Sequence, residues 1–219
     1  MKKAIRIAIT AAFLICSSAS IVSAPALAQS EGISGLLSSA SDSALDKLSQ
    51  PGAFFADKDV RIGLPGPLEK ASKLLRFTSN KGLTKDLTKS MNDVASLAAK
   101  EAKPIFREAI NGLTFKDGVG AATKSGGVTD YLRKSSEDSL TGKIRPLVSK
   151  AMGDAGTFDQ LDKLTSLKGL NKLGVSGDSM TDHITKKAMD GIFKYMATEE
   201  NAVRKNPLNA LGGLLGIKD

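Results

Sequence analysis

Over residues 84–113 apolar side chains recur at steps of three and four, so that Leu87, Met91, Val94, Ala98, Ala102, Ile105, Ala109 and Leu113 fall on one face of a long helix. The stretch 94–102 is rich in alanine, which makes the stripe shallow and lets other helices approach closely. This spacing predicts the central helix of the chain.

The same period returns on either side. Ile33, Leu36, Leu37, Ala40, Ala44, Leu45 and Leu48 predict a first amphipathic helix over residues 32–48, ended by Gln50-Pro51-Gly52. Residues 60–67 alternate apolar with other positions and carry Pro65 and Pro67, and they read as an extended crossing segment. Pro67 then heads a short helix through Leu68, Ala71, Leu74, Leu75 and Phe77. Thr114-Phe115-Lys116-Asp117 has the form of a capping box and predicts a short helix ending near Ser125-Gly126-Gly127. Val128, Tyr131, Leu132, Leu140, Ile144, Leu147, Val148, Ala151 and Met152 line a second long helix. A short helix follows around Phe158, Leu161, Leu164 and Leu167, before a glycine-rich stretch. Ser179-Met180-Thr181-Asp182 opens the last long helix, whose face is Ile184, Ala188, Ile192, Tyr195, Met196 and Val203. Asn206-Pro207 ends it, leaving an apolar tail over 206–219 that either docks or frays.

Pro104 and Pro146 each remove one helical hydrogen bond and crowd a carbonyl one turn back, so a bend or a break is expected at both. No stretch reads as a strand. The expected class is all-α: a single-domain bundle of about six to eight helices of unequal length, long helices bent at Pro104 and Pro146.

Residues 1–28 stand apart. Lys2, Lys3 and Arg6 precede an apolar run, and Ala26-Leu27-Ala28 supplies small residues where a signal peptidase reads, so cleavage is expected between Ala28 and Gln29. Ser17, Ser18, Ser20 and Ser23 interrupt the run before it could span a membrane. The expected mature chain, 29–219, is periplasmic, with no transmembrane segment. The sole cysteine, Cys16, lies in this leader behind bulky Ile15, which disfavours a lipid anchor. A mature chain without thiols excludes disulfides, thiolate metal sites and cysteine nucleophiles. Of the formal charge of +8, three units belong to the leader, leaving about +5. In an exported protein this excess points to anionic envelope surfaces rather than nucleic acid, or to nothing beyond solvated lysine-rich helix faces.

Candidate chemistry is thin. Residues 118–125 resemble a phosphate loop, but Thr123 occupies its second required glycine and no strand precedes it. His183 is the only histidine, which removes paired-histidine metal sites. There is no G-x-S-x-G and no S-x-x-K to mark a nucleophilic serine. Glu101, Glu108, Glu199 and Glu200 could supply a carboxylate pair for sugar cleavage, although glutamates on lysine-rich helices usually make solvated pairs. The absence of tryptophan and the presence of only two tyrosines argue against a base-stacking or sugar-stacking platform, and Phe106, Phe115, Phe158 and Phe193 read as core. One mixed cluster, Asp117, Tyr131, Arg133 and Asp190, could form a polar network or line a small pocket. No catalytic, cofactor or metal residue is assigned.

Several segments resemble a family. They are Arg61-Ile62-Gly63-Leu64-Pro65-Gly66-Pro67-Leu68, Ser90-Met91-Asn92, Glu101-Ala102-Lys103-Pro104-Ile105-Phe106, Leu113-Thr114-Phe115-Lys116-Asp117, Lys187-Ala188-Met189-Asp190-Gly191-Ile192-Phe193 and Asn206-Pro207. In that order they are similar to the exported bacterial proteins of domain-of-unknown-function family 4197, over nearly the whole mature chain. The chain departs from the family's alanine-rich pattern at Gly126-Gly127-Val128. The resemblance implies helical fold and export and carries over no functional residue. Three functions follow as expectations: a non-enzymatic domain binding an envelope protein or anionic envelope component, a carrier of a small apolar ligand between helices, or an envelope hydrolase with a carboxylate pair.

Overall fold

Four long helices with apolar faces have to hide them from water, and in the computed structural model they do so against one another. The structure describes residues 24–75, 77–78, 80–114, 124–167 and 170–205. The four are α1 (Ala24–Leu48), α4 (Lys81–Asn111), α5 (Gly127–Asp154) and α7 (Gly177–Lys205). They close into a ring in the order α1, α4, α5, α7, each packing mainly on its two neighbours. Two short helices, α2 (Ala53–Ala56) and α3 (Gly66–Leu75), fill the passage from α1 to α4, and α6 (Thr157–Thr165) lies against α4 and α5. A 3₁₀ turn, Asn171–Leu173, precedes α7. The described residues are all helical or loop, with no strand, in one helical domain.

The alanine-rich face of α4 is the shared floor. Leu87, Met91, Val94, Ala95, Ala98, Ala99, Ala102, Phe106 and Ile110 are all buried. Beyond Pro104 the buried line runs through Phe106 and Ile110, while Ile105, Ala109 and Leu113 are only partly covered. Steps of four residues turn the face by about 40° each, so the line drifts from the spacing read over 84–113. Neither proline breaks its helix: α4 runs on through Pro104 and α5 through Pro146. α1 already includes Ala24, the first described residue, rather than beginning near residue 32; Pro25 does not prevent this. The cap of α7 lies three residues before the expected one. Ser176 Oγ accepts from the Ser179 backbone N–H (3.2 Å) and Ser179 Oγ from the Ser176 backbone N–H (2.9 Å), while Asp182 turns outward to Arg145. The expected helix beginning at Thr114-Phe115-Lys116-Asp117, the phosphate-loop likeness and the tail over 206–219 lie outside the described residues.

At the head of α5 the glycine at position 126 has a geometric reason. Gly126 holds φ +67, and a β-carbon there would meet Ala197 Cβ at 3.3 Å. Its N–H donates to Asn201 Oδ1 (3.0 Å), and buried Glu200 accepts from the backbone N–H groups of Val128 (3.2 Å) and Thr129 (2.8 Å) and from the Thr129 hydroxyl (2.7 Å). A side chain of α7 therefore caps α5.

Every seam of the ring also carries an ion pair at its rim. Arg107 meets Asp42 (2.7 Å) between α4 and α1, and Lys143 meets Glu108 (2.7 Å) between α5 and α4. Arg133 meets Asp190 (2.6 Å) and Arg145 meets Asp182 (2.6 Å) between α5 and α7, and Lys47 meets Glu199 (2.5 Å) between α1 and α7.

The passage from α2 to α3 crosses α7 at Gly191. A β-carbon there would lie 2.9 Å from Phe54 Cε1 and 3.3 Å from Val60 Cβ, and both neighbours are buried. Gly191→Ala should therefore destabilise the fold by ~1–3 kcal/mol through overpacking. Urea unfolding would measure this, and an unchanged midpoint would show that the passage does not press on α7.

Candidate functional site

The extended segment 61–65 has no strand to pair with, yet it is held as firmly as one. Asn92, fully buried on α4, bonds both backbone groups of Ile62: the Ile62 N–H donates to Asn92 Oδ1 (2.8 Å), and Asn92 Nδ2 donates to the Ile62 carbonyl (2.8 Å) and to the Thr88 carbonyl of its own helix (2.7 Å). Ile62 is itself fully buried. From the other side, His183 Nε2 lies 2.8 Å from the Gly63 carbonyl oxygen, which makes this nitrogen the donor. Just upstream, Arg61 stacks over the Phe55 ring at 4.8 Å and donates from Nε to the Phe55 carbonyl. Tyr195 donates to Asp57 (2.7 Å) and Lys194 to Asp59 (2.8 Å). The segment is thus pinned to α4 and α7.

Between it and α7 lie two adjoining clefts that share His183. The first, ≈ 370 Å³, is lined by Arg61, Gly63 and Leu64 from the segment and by His183, Lys187 and Asp190 from α7, among others. Its acids are all engaged: Asp59 with Lys194, Glu69 with Lys73 (3.5 Å) and Asp190 with Arg133. Arg61 and Lys187 have no carboxylate partner among the described residues. The second cleft, ≈ 350 Å³, is more apolar, walled by Pro65, Pro67, Leu173 and Val175, with Asp182 and Lys186 at its edge.

Of the mixed cluster read from the sequence, Arg133 and Asp190 come together. Arg133 forks between Asp190 (2.6 Å) and Glu137 (2.8 Å) and lies over the Phe193 ring at 5.2 Å. Hydrogen bonds donated to Glu137 and then to Asp190 raise its guanidinium pKa further. Tyr131 instead donates to the Thr114 carbonyl (2.8 Å), and Asp117 lies outside the described residues. Ala28 and Gln29 fall in the first turns of α1, with side chains outside the described residues. The four glutamates weighed as a hydrolytic pair do other work or face solvent: Glu108 meets Lys143, Glu199 takes Ser43 (2.7 Å) and Lys47, Glu200 caps α5, and Glu101 is exposed on α4. No group of His, Cys, Asp or Glu among the described residues is placed to hold a metal, and no described helix is long and apolar enough to cross a membrane.

Sequence reasoning missed Asn92 and His183 as the posts of the extended segment. The available signal was an amide on the flank of an alanine stripe, where a polar residue is buried only with all its bonds made.

The Tyr195 bond makes the site sensitive to pH at both extremes. Donation to Asp57, then partial burial and the charges of Asp57, Asp59 and Glu199, push the phenol up to about 12. The same bond, followed by the Asp59 N–H, holds the Asp57 carboxyl below its ordinary 3.8. For the raised phenol, the stabilisation is complete below the unfolded value of about 10. It is lost as pH rises through about 12. For the lowered carboxyl it is present above 3.8 and lost as pH falls through the folded value. Ultraviolet titration should find a tyrosine ionising near 12, moving back toward about 10 in Asp57→Asn; no movement would show that the bond is not made in solution.

Comparison with known proteins adds a family and nothing further. The family model described as "Protein of unknown function (DUF4197)" matches residues 25–216. No curated protein and no solved structure matches the chain. With that match covering almost everything from α1 to the tail, the protein belongs to the DUF4197 family.

Proposed function

We propose that the protein is exported, loses residues 1–28, and serves in the cell envelope as a non-enzymatic binding domain whose docking face is the pair of clefts between segment 61–67 and α7. The observation that carries the reading is the charge balance of the first cleft. Its carboxylates are neutralised by Lys194, Lys73 and Arg133, while the cations Arg61 and Lys187 are not offset. An anionic partner would meet them without displacing an existing ion pair. Export is supported by the basic, apolar and small-residue order of the leader, and by the confinement of the one cysteine to it.

A second reading, a carrier of a small apolar ligand, is favoured by the walls of the second cleft, Pro65, Pro67, Leu173 and Val175. It differs in needing no anionic group on the ligand.

Fractionation of native cells should find the protein in the periplasm with Gln29 as its first residue. A photo-crosslinking residue at Leu64, beside the first cleft, should then trap an envelope component, and the same residue at Leu97, exposed on α4, should not. Recovery from the cytoplasm with residues 1–28 intact would overturn export, and equal or absent adducts from the two positions would overturn the docking face.

A further inference from the structure

The main chain of the extended segment, rather than its side chains alone, is what distinguishes this face. In an extended chain successive residues turn their N–H and C=O groups to opposite edges. Ile62 turns both of its groups inward, to Asn92. Arg61 and Gly63 therefore present theirs on the other edge. The Arg61 N–H closes the preceding turn on the Asp57 carbonyl (2.9 Å), and the Gly63 carbonyl faces His183. The Gly63 N–H and the Arg61 carbonyl have no hydrogen-bond partner among the described residues. The first cleft, lined by Arg61 and Gly63, opens on this side of the segment next to His183.

Resting on the docking face proposed above, we propose that its ligand is an extended peptide that adds alongside residues 61–65. Its main chain would bond the Gly63 N–H and Arg61 carbonyl, with an acidic group against Arg61 and Lys187 and an apolar side chain against Pro65, Leu173 and Val175. Three features favour a peptide. The edge offers a donor and an acceptor two residues apart, the pattern used when a strand adds to a sheet. The clefts are two open troughs meeting at His183 rather than one closed chamber, a shape that suits a chain laid across them. The segment is already fixed by Asn92 and His183, so binding need not order it. A lipid headgroup would use the cations but has no use for the Gly63 N–H.

The test is fluorescence anisotropy on the purified protein with three labelled short β-branched peptides: one alternating Val and Glu, its Lys counterpart, and the Glu peptide with N-methylated main chain. The Glu peptide should bind, and the Lys and N-methylated forms should bind at least ~5-fold more weakly. Lys187→Glu should weaken the Glu peptide by ~10-fold. Gly63→Pro, which removes the N–H, should bind ~5-fold more weakly. Should Gly63→Pro fail to fold, the N-methylated peptide asks the same question of the intact protein. Equal binding of the Glu and Lys peptides, or no effect of N-methylation, would overturn the proposal. So would Lys187-dependent binding to anionic phospholipid vesicles with no peptide bound. Crosslinks from Leu64 that persist while no peptide binds would remove the peptide alone and leave the docking face standing.

Discussion

The passage from α1 to α4 depends on one amide. A stretch of main chain that crosses a helical bundle without a neighbouring strand must bury N–H and C=O groups that nothing in its own secondary structure can satisfy. Asn92 answers both groups of Ile62 at once, standing in for the missing strand, and so lets Ile62 sit fully inside the core. Everything on that side of the molecule follows from this placement. Val60 and Phe54 can close on Gly191, α3 can turn onto α4, and the residues either side of Ile62 are held at the surface against α7.

The charged residues play a different part. The pairs at the rims of the helix seams are largely exposed, and each contributes little on its own. They tie neighbouring helices together at the surface, as Arg107 does with Asp42 and Arg145 with Asp182. Asp42, Glu108, Asp182, Asp190 and Glu199 are used in this way, while Arg61 and Lys187 beside the first cleft have no carboxylate partner among the described residues.

The helices were legible because burial in a bundle leaves a period in the sequence: the faces of α1, α4, α5 and α7 contain the residues that the three-and-four spacing selects. What the spacing could not carry was phase and partnership. The drift of the α4 stripe onto Phe106 and Ile110 depends on which neighbour it meets, and the Ser176–Ser179 cap competes with an equally plausible pattern three residues on. Asn92 with Ile62, His183 with Gly63 and Glu200 with Thr129 are separated by 30, 120 and 71 residues. No local pattern encodes such meetings. Arg133 and Asp190 were singled out as types suited to a polar cluster, but the third partner, Glu137, sits one helical turn along from Arg133 and went unread.

The cap on α5 ties the middle of the chain to its end. Until α7 is present, the first N–H groups of α5 have only water to bond, and the left-handed turn at Gly126 lacks the Asn201 side chain that receives its N–H. A polypeptide made from its N-terminus would therefore have α1 and α4 able to meet while the ring stayed open. Assembly would finish only when residues near 200 became available to close the cap, so a chain truncated before Glu200 would be an unfinished fold rather than a smaller working domain.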